Sequence, residues 1–207
     1  MKIFITLILS LFCIATSAQE LSYIKSKTEI YSVLKDNPEV KHGDYKKIKK
    51  KSILESGQFD NGNKVGPWSF YDEEGKVELI YDFSTNKVIE NHNLDQFSNY
   101  KTVNDETKPE ILPVYIGGRS GYNRFISENL EYPKDSKSKG IEGRQFVIIT
   151  LSEQGEIIES KVYRPIAPDI YAEALRLISE LPNKWTPAIN QGKPVKVTIG
   201  LPVQFIL

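Results

Sequence analysis

Few side chains in the sequence have the types and spacing that catalysis or metal binding requires. Two histidines, His42 and His92, and one cysteine, Cys13, are the strongest candidates, and long stretches of sequence separate them. A covalent nucleophile needs a neighbouring base, and a zinc site needs closely spaced Cys and His ligands. The acidic residues at 72–74 lie in a turn pattern, where solvated carboxylates are the usual explanation. The sequence therefore predicts no enzyme, no catalytic residue, no metal site and no cofactor.

The charge balance argues against nucleic acid as a partner. The 207 residues carry 27 Lys+Arg and 27 Asp+Glu, and the pI is about 6.8. Such a chain has no overall positive field to attract a polyanion. Its length allows one large domain or two small ones, and 40% of its residues are hydrophobic, so it can fold without disulfides.

The first 18 residues have the pattern of a secretory signal peptide. Lys2 precedes an apolar run at 3–14, and small residues follow at 15–18. The run is shorter than the roughly 20 apolar residues that span a bilayer. Cleavage after Ala18 leaves an exported chain with no cysteine and no integral membrane span. The alternative is a retained N-terminal segment, which would keep the protein associated with the membrane.

A β-meander is predicted for residues 42–90. Short aromatic and β-branched runs alternate there with glycines, whereas residues 19–41 show no clear pattern. The Asn61-Gly62 pair suits a tight hairpin, because both central residues of that turn need positive φ. The turn at 72–75 closes on a glycine in the same way.

A polar linker is predicted for residues 91–112. Four apolar residues recur there every three positions, which predicts one turn of helix docked against a neighbour. They are Leu94, Phe97, Tyr100 and Val103.

A lysine run inside the meander allows two interpretations. It can contact an anionic envelope polymer or lipid headgroups, or it can be the solvated face of a strand, balanced by nearby Asp44 and Glu55. The residues concerned are Lys46, Lys47, Lys49, Lys50 and Lys51.

The C-terminal part, residues 113–207, has the strongest periodicity. We expect a helix at 120–130, two antiparallel strands at 145–151 and 156–163, and a second helix that starts near Asp169. Apolar residues then alternate over 195–207, which predicts a strand with one apolar face.

These elements predict an α+β fold. A crossover helix makes the last strand parallel to the second one, so the expected order is second, first, third, in a three-stranded antiparallel sheet with two helices on one face. The C-terminal strand is then an edge, where Pro202 is tolerated. The N-terminal β-meander completes the fold.

Residues 113–207 resemble the C-terminal domain of TonB-type energy transducers. The resemblance rests on the order and spacing of several short motifs. They are Pro113-Val114-Tyr115-Ile116-Gly117-Gly118, Asn129-Leu130-Glu131-Tyr132-Pro133, Gly140-Ile141-Glu142-Gly143, Gly155-Glu156-Ile157, Glu173-Ala174-Leu175-Arg176-Leu177-Ile178, Trp185-Thr186-Pro187-Ala188, Gly192-Lys193-Pro194-Val195 and Pro202-Val203-Gln204-Phe205. In the preceding segment, residues 57–75 resemble the MORN-like repeats of YwqK-type proteins, which implies a small sheet used for contact.

The TonB resemblance implies a periplasmic protein that pairs through a sheet edge with a short peptide of an outer-membrane receptor. The chain departs from such transducers because it has a short signal sequence in place of a long membrane helix and a Pro-rich segment. We therefore expect a protein-binding module for an envelope partner. Energy transduction across the outer membrane and a structural role on cell-wall polymer are the alternatives.

The partner-binding edge predicted from the sequence is the C-terminal strand. An edge strand offers unpaired N–H and C=O groups to an extended peptide. An edge that is protected, or paired in a homodimer, is the competing interpretation. The candidate residues are Val195, Lys196, Val197, Thr198, Ile199, Gln204 and Phe205.

Overall fold

The structure is a computed structural model that describes residues 20–93, 97–104, 106–182 and 184–207. The predicted signal peptide at 1–18 lies outside these residues. The described chain forms an N-terminal antiparallel meander and a C-terminal antiparallel sheet with helices packed on it, which confirms the predicted α+β class. No helix in the described ranges is long and apolar enough to cross a membrane.

Seven strands form the N-terminal sheet, and they pair in the order of the sequence. The hairpin between the fourth and fifth strands turns at Asn61 and Gly62, with φ of 47° and 83°, as the sequence predicts. The sheet starts at Leu21, so the segment 19–41, for which we predicted no element, supplies its first strands. The strands are β1 Leu21–Lys25, β2 Glu29–Leu34, β3 Asn37–Lys49, β4 Ser52–Asp60, β5 Asn63–Tyr71, β6 Val77–Asp82 and β7 Lys87–Asn91.

Aromatic side chains from neighbouring strands form the centre of this sheet. Trp68 is fully buried, and its ring lies edge-to-face with Phe59 at 5.2 Å and tilted against Tyr45 at 5.3 Å. Its ring also lies directly over Gly57, where any side chain would overlap it. The Nζ atom of Lys64 sits 3.9 Å from the centre of the Trp68 ring. Aromatic packing of this kind contributes about 0.5–1.5 kcal/mol per pair beyond the area it buries.

The C-terminal sheet has four strands in the order β10-β9-β13-β8. The strands β10, β9 and β13 keep the predicted order of second, first, third, but β8 gives the sheet one strand more than predicted. A separate two-stranded hairpin, β11-β12, precedes β13. The elements are β8 Ser98–Thr102, α1 Gly118–Asn129, α2 Lys134–Ser138, β9 Gly143–Leu151, β10 Ile157–Tyr163, α3 Pro168–Ser179, β11 Ala188–Asn190, β12 Lys193–Val195 and β13 Val197–Phe205.

The extra strand β8 comes from the segment predicted to be a linker with one docked helical turn. Phe97 and Tyr100 are buried as their spacing suggested, but Val103 is 46% exposed, and Leu94 lies outside the described residues. The buried side chains at Tyr100 and Thr102 follow the two-residue period of a strand. The helical prediction for this segment is therefore wrong.

The core of the C-terminal domain lies between one face of its sheet and the helices α1 and α3. The alternation predicted for the last strand is confirmed, because all five inward residues are 0% exposed. They are Val197, Ile199, Leu201, Val203 and Phe205. Tyr122 and Ile126 of α1 and Ala174 and Leu177 of α3 pack against them in a single hydrophobic cluster. The short helix α2 was not predicted.

The two sheets meet at the start of α1. The buried carboxylate of Glu78 on β6 accepts hydrogen bonds from the backbone N–H groups of Arg119 at 2.9 Å and Ser120 at 3.0 Å. A Cβ at Gly118, where φ is 71°, would come within 2.8 Å of the same carboxylate. The group that lies against Gly118 is thus a side-chain carboxylate of the N-terminal sheet. A negative charge at a helix N-terminus is stabilising.

Candidate partner-binding edge

Two strands flank β13, and they cover it to different extents. On one side β9 pairs with it from Val197 to Phe205. On the other side β8 pairs with Val197, Thr198 and Gly200 only, so the stretch 201–205 continues beyond the end of β8. The predicted edge is therefore occupied over its first part, and over its last part no strand of the described ranges pairs with it on this side, which is called the open edge below.

Backbone direction decides which groups of the open stretch face outward. The carbonyl of Pro202 accepts a hydrogen bond from the Tyr122 hydroxyl of α1 at 3.0 Å. Lys196, an even number of residues earlier, turns its carbonyl to the Val103 N–H just after β8, so we infer that Pro202 also faces away from β9. Alternate residues of a strand point their N–H and C=O to the same side, so the backbone of Gln204 also faces outward. Proline has no N–H to offer. Gln204 is thus the one residue of the described 201–205 stretch whose N–H and C=O both face the open edge.

Burial keeps the Tyr122 hydroxyl protonated, as its hydrogen bond to the Pro202 carbonyl requires. Its ring is 1% exposed, and desolvation raises the pKa of its hydroxyl far above the ordinary value, with Tyr115 adding to the shift. The hydroxyl therefore stays protonated and donates to the Pro202 carbonyl across the physiological range. It fixes α1 against the open part of the strand.

A groove of about 430 Å³ separates α1 from this open stretch. Its apolar floor includes Ile126, Leu130 and the exposed Ile206. Arg144 on β9 lines it as well, and the Nε of Arg144 donates to the Gln204 side chain at 3.1 Å. The groove has a mixed apolar and polar lining, which suits the side chains of an extended peptide segment.

The other predicted edge residues have different positions. Val195 belongs to β12 and pairs with β11, so the strand predicted over 195–207 is divided near Lys196. The carbonyl of Lys196 accepts from the Val103 N–H at 3.1 Å. The ring of Phe205 is fully buried and lies edge-to-face with Tyr132 at 5.7 Å, so only its backbone is near the groove. Thr198 and Ile199 lie under β8.

The lysine run lies in the N-terminal sheet, at the end of β3 and in the turn to β4. Lys47 pairs with Glu29 on β2 and with Glu55 on β4, and Lys49 forms an ion pair of 2.6 Å with Glu128 of α1. Lys46 is an exposed strand residue, and Lys50 and Lys51 lie in the turn. These neighbouring carboxylates favour the solvated strand face over a polyanion site, which stays a prediction.

The candidate residues for chemistry remain apart in the structure. His42 lies 3.4 Å from Asp60, and His92 lies 3.3 Å from Glu90 on the far edge of the sheet. Among the described residues, no group of three or more His, Cys, Asp and Glu side chains is placed to hold a metal ion.

Two parts of the edge were missed from the sequence. The strand β8 was hidden because its inward pattern spans only Tyr100 and Thr102, too short a signal against the three-residue spacing. The bond between Tyr122 and Pro202 joins residues 80 positions apart, and no local pattern encodes such a pair.

Comparison with known proteins gives one match. Residues 128–207 match the family model described as Gram-negative bacterial TonB protein C-terminal. Searches of curated proteins and of solved structures found no match. The comparisons give no support for the MORN-like resemblance, which stays a prediction.

The matched family is non-catalytic, and its domains bind outer-membrane receptors in the periplasmic cell envelope. The match includes β9, β10, α3 and β13, so it contains the strand that carries the candidate edge. It does not include β8 or the N-terminal sheet. Residues 128–207 of this chain are thus similar to the TonB C-terminal domain.

Proposed function

We propose that the protein is an exported, non-catalytic module of the cell envelope that captures an extended segment of an outer-membrane partner. The segment adds as a strand to the outer edge of β13. The observation that carries this proposal is the stretch 201–205, which within the described part of the chain pairs only with β9 and which faces a groove beside α1.

Strand addition fits the chemistry of this edge. Main-chain hydrogen bonds supply affinity, and pockets for alternate side chains supply specificity. Gln204 offers the outward N–H and C=O, and the groove offers an apolar floor near Ile126 and Ile206 for one side chain of the partner. The inward face of β13 is fully buried, so the partner reaches only the edge and not the core.

Removal of the backbone N–H of Gln204 tests the proposal. Gln204→Pro removes the outward N–H and leaves the β9 ladder intact, because the N–H groups that pair with β9 belong to the alternate residues. Gln204→Ala is the matched control, since it loses the same side-chain contact with Arg144 and keeps the N–H. Purified protein is co-sedimented with isolated outer membranes of the source cells.

We expect the Ala variant to be retained and the Pro variant to lose most of its binding. Circular dichroism of both variants checks that the fold is unchanged. Equal retention of the two variants contradicts strand addition at this edge.

A component of energy transduction across the outer membrane is the second candidate, and the TonB C-terminal match favours it. Transduction requires an anchor in the inner membrane, because force cannot pass through a chain that is free at its N-terminus. Cell fractionation with N-terminal sequencing separates the two. A soluble species that starts at Gln19 excludes the transducer, and a species retained in the inner membrane with its first residues intact supports it.

A further inference from the structure

The strand β8 occupies the edge of β13 in the way that a bound peptide would. It runs antiparallel to β13 and pairs with Val197, Thr198 and Gly200. Its side chains alternate, with Tyr100 and Thr102 buried and Lys101 exposed. The aromatic ring just before it, Phe97, is 7% exposed. An extended segment of the chain itself thus fills the first part of the partner edge.

Phe97 is the main anchor of this segment. Its ring packs at 4.9 Å from Tyr122 and at 5.1 Å from Trp185, inside the core of the C-terminal domain. Its N–H donates to the Tyr100 hydroxyl at 2.9 Å, which links the two aromatic residues of the segment. The core therefore contains a site shaped for an aromatic side chain that a neighbouring strand brings in.

The open part of the edge alone offers few backbone groups to an added strand. Gln204 supplies one outward N–H and one outward C=O, whereas the outward carbonyl of Pro202 is bonded to Tyr122. A partner strand of ordinary length, about 5 residues, also reaches the outward groups of Gly200 and Thr198. Those groups are the ones that β8 now uses.

The pairing of β8 has features that permit exchange. The strand has five residues, and its register shifts between Thr198 and Gly200. The shift coincides with Asn99, whose φ of 58° lies outside the strand region. A partner segment that makes the same contacts with β13 replaces those that are lost when β8 leaves. The free energy of these contacts therefore changes little in the exchange.

We infer that β8 is an internal occupant of the partner edge, and that the envelope partner binds by replacing it with an extended segment that has an aromatic residue at the position of Phe97 and a second apolar residue at that of Tyr100. This inference rests on the proposed function, because it concerns the same edge. The internal strand keeps the edge closed until a matching segment competes for it. Its tether gives it a high effective concentration, so weakly matching segments fail.

The test uses a fluorescent synthetic peptide of residues 97–104 as the probe and fluorescence anisotropy as the measurement. In a Cys13→Ser background, Lys101→Cys with Thr198→Cys joins β8 to β13 at directly opposed positions. Lys161→Cys with Ile148→Cys joins β10 to β9 and is the matched control on the other side of the sheet.

We expect oxidation of the first pair to weaken binding of the probe at least about tenfold, and reduction to restore it. Oxidation of the control pair leaves binding unchanged. Equal binding by the oxidised and reduced forms of the first pair overturns the inference, as does an equal loss in the control pair.

A second variant tests the aromatic site without a disulfide. Phe97→Ala weakens the internal strand and leaves a cavity that the probe's own Phe can fill, so we expect binding at least about tenfold tighter than that of the unaltered chain. A probe with Ala in place of that Phe should lose this gain. If neither Phe97→Ala in the protein nor Ala in place of Phe in the probe alters binding, the inference is overturned.

The outcomes separate this inference from the proposed function. Suppose that outer membranes retain the oxidised and the reduced forms of the Lys101→Cys, Thr198→Cys variant equally and do not retain Gln204→Pro. Strand addition then stands, and the exchange of β8 is excluded. Outer membranes that retain Gln204→Pro remove strand addition itself, whatever the probe does.

Discussion

Removing the carboxylate of Glu78 should weaken the C-terminal domain, although the residue belongs to the N-terminal sheet. Glu78 is 6% exposed, and it accepts N–H groups of Arg119 and Ser120 and the side-chain amide of Asn93 at 3.2 Å. Glu78→Ala leaves the first turn of α1 without acceptors and removes a charge from the helix N-terminus. Hydrogen bonds to charged groups contribute about 1.5–3 kcal/mol and the dipole interaction about 0.3–2 kcal/mol. Since water can enter the gap, we expect the free energy of unfolding to fall by about 2–4 kcal/mol in total. Glu78→Gln, which keeps one acceptor, should lose about half of that.

The two tryptophans make the effect measurable in each part of the molecule. Trp68 lies in the N-terminal sheet and Trp185 in the C-terminal core, and the chain has no others. Urea unfolding of protein labelled with 5-fluorotryptophan, followed by ¹⁹F NMR, gives one signal for each. We expect Glu78→Ala to lower the unfolding midpoint of Trp185 as well as that of Trp68.

The control for this experiment is Glu73→Ala, which removes an exposed carboxylate from the turn before the same strand. It should change the free energy of unfolding obtained from either signal by no more than about 0.5 kcal/mol. A Glu78→Ala variant in which only the Trp68 signal shifts would refute the reasoning, because the carboxylate would then contribute nothing to α1.

Three further predictions concern the frame that holds the edge. Gly57→Ala places a methyl group inside the ring of Trp68, so it should lower the free energy of unfolding by about 3 kcal/mol or more in chemical denaturation. Gly121→Ala, in α1 with open space around its Cβ, should instead raise the stability by about 0.5–1 kcal/mol, and a loss would contradict the helix assignment. Hydrogen bonds from Ser136 lower the pKa of Asp169, so its stabilising contribution is present above the ordinary carboxyl pKa and is lost as the pH falls through the lowered value. The melting temperatures of wild type and Asp169→Asn should therefore converge as the pH falls below about 4, and a constant difference would argue against this role.

The sequence predicted the elements whose signals are local and periodic. The alternation from Val197 to Phe205 fixed the last strand, and the spacing of Tyr122 and Ile126 fixed one face of α1. The Asn61-Gly62 hairpin followed from the need for positive φ at both positions. Each of these signals lies within one element, where side-chain period and backbone conformation determine each other.

The parts that could not be predicted depend on contacts between distant segments. β8 is a strand because β13 offers it an edge and because the core offers Phe97 a site, and neither feature can be read from residues 91–112. The role of Glu78 depends on its approach to Gly118, 40 residues along the chain. Asp169, near which the second helix was expected to start, accepts hydrogen bonds from Ser136 of α2, a helix that the sequence did not reveal.

The arrangement suggests a division of roles between the two sheets. The N-terminal sheet holds α1 through Glu78, and α1 holds the open end of β13 through Tyr122. The position of the groove is therefore coupled to a part of the chain outside the matched TonB domain. A partner bound in the groove would be held at a fixed orientation relative to the meander.

The most direct test of strand addition at β13 is site-specific photocrosslinking in intact cells. A photoreactive amino acid is placed at Gln204, on the open edge, and in a parallel strain at Lys161, on the opposite edge strand β10. The account predicts an adduct with an outer-membrane protein from position 204, mapped by mass spectrometry to one extended segment of that protein, and no such adduct from position 161. An adduct formed only from position 161, or equally from both, would contradict it.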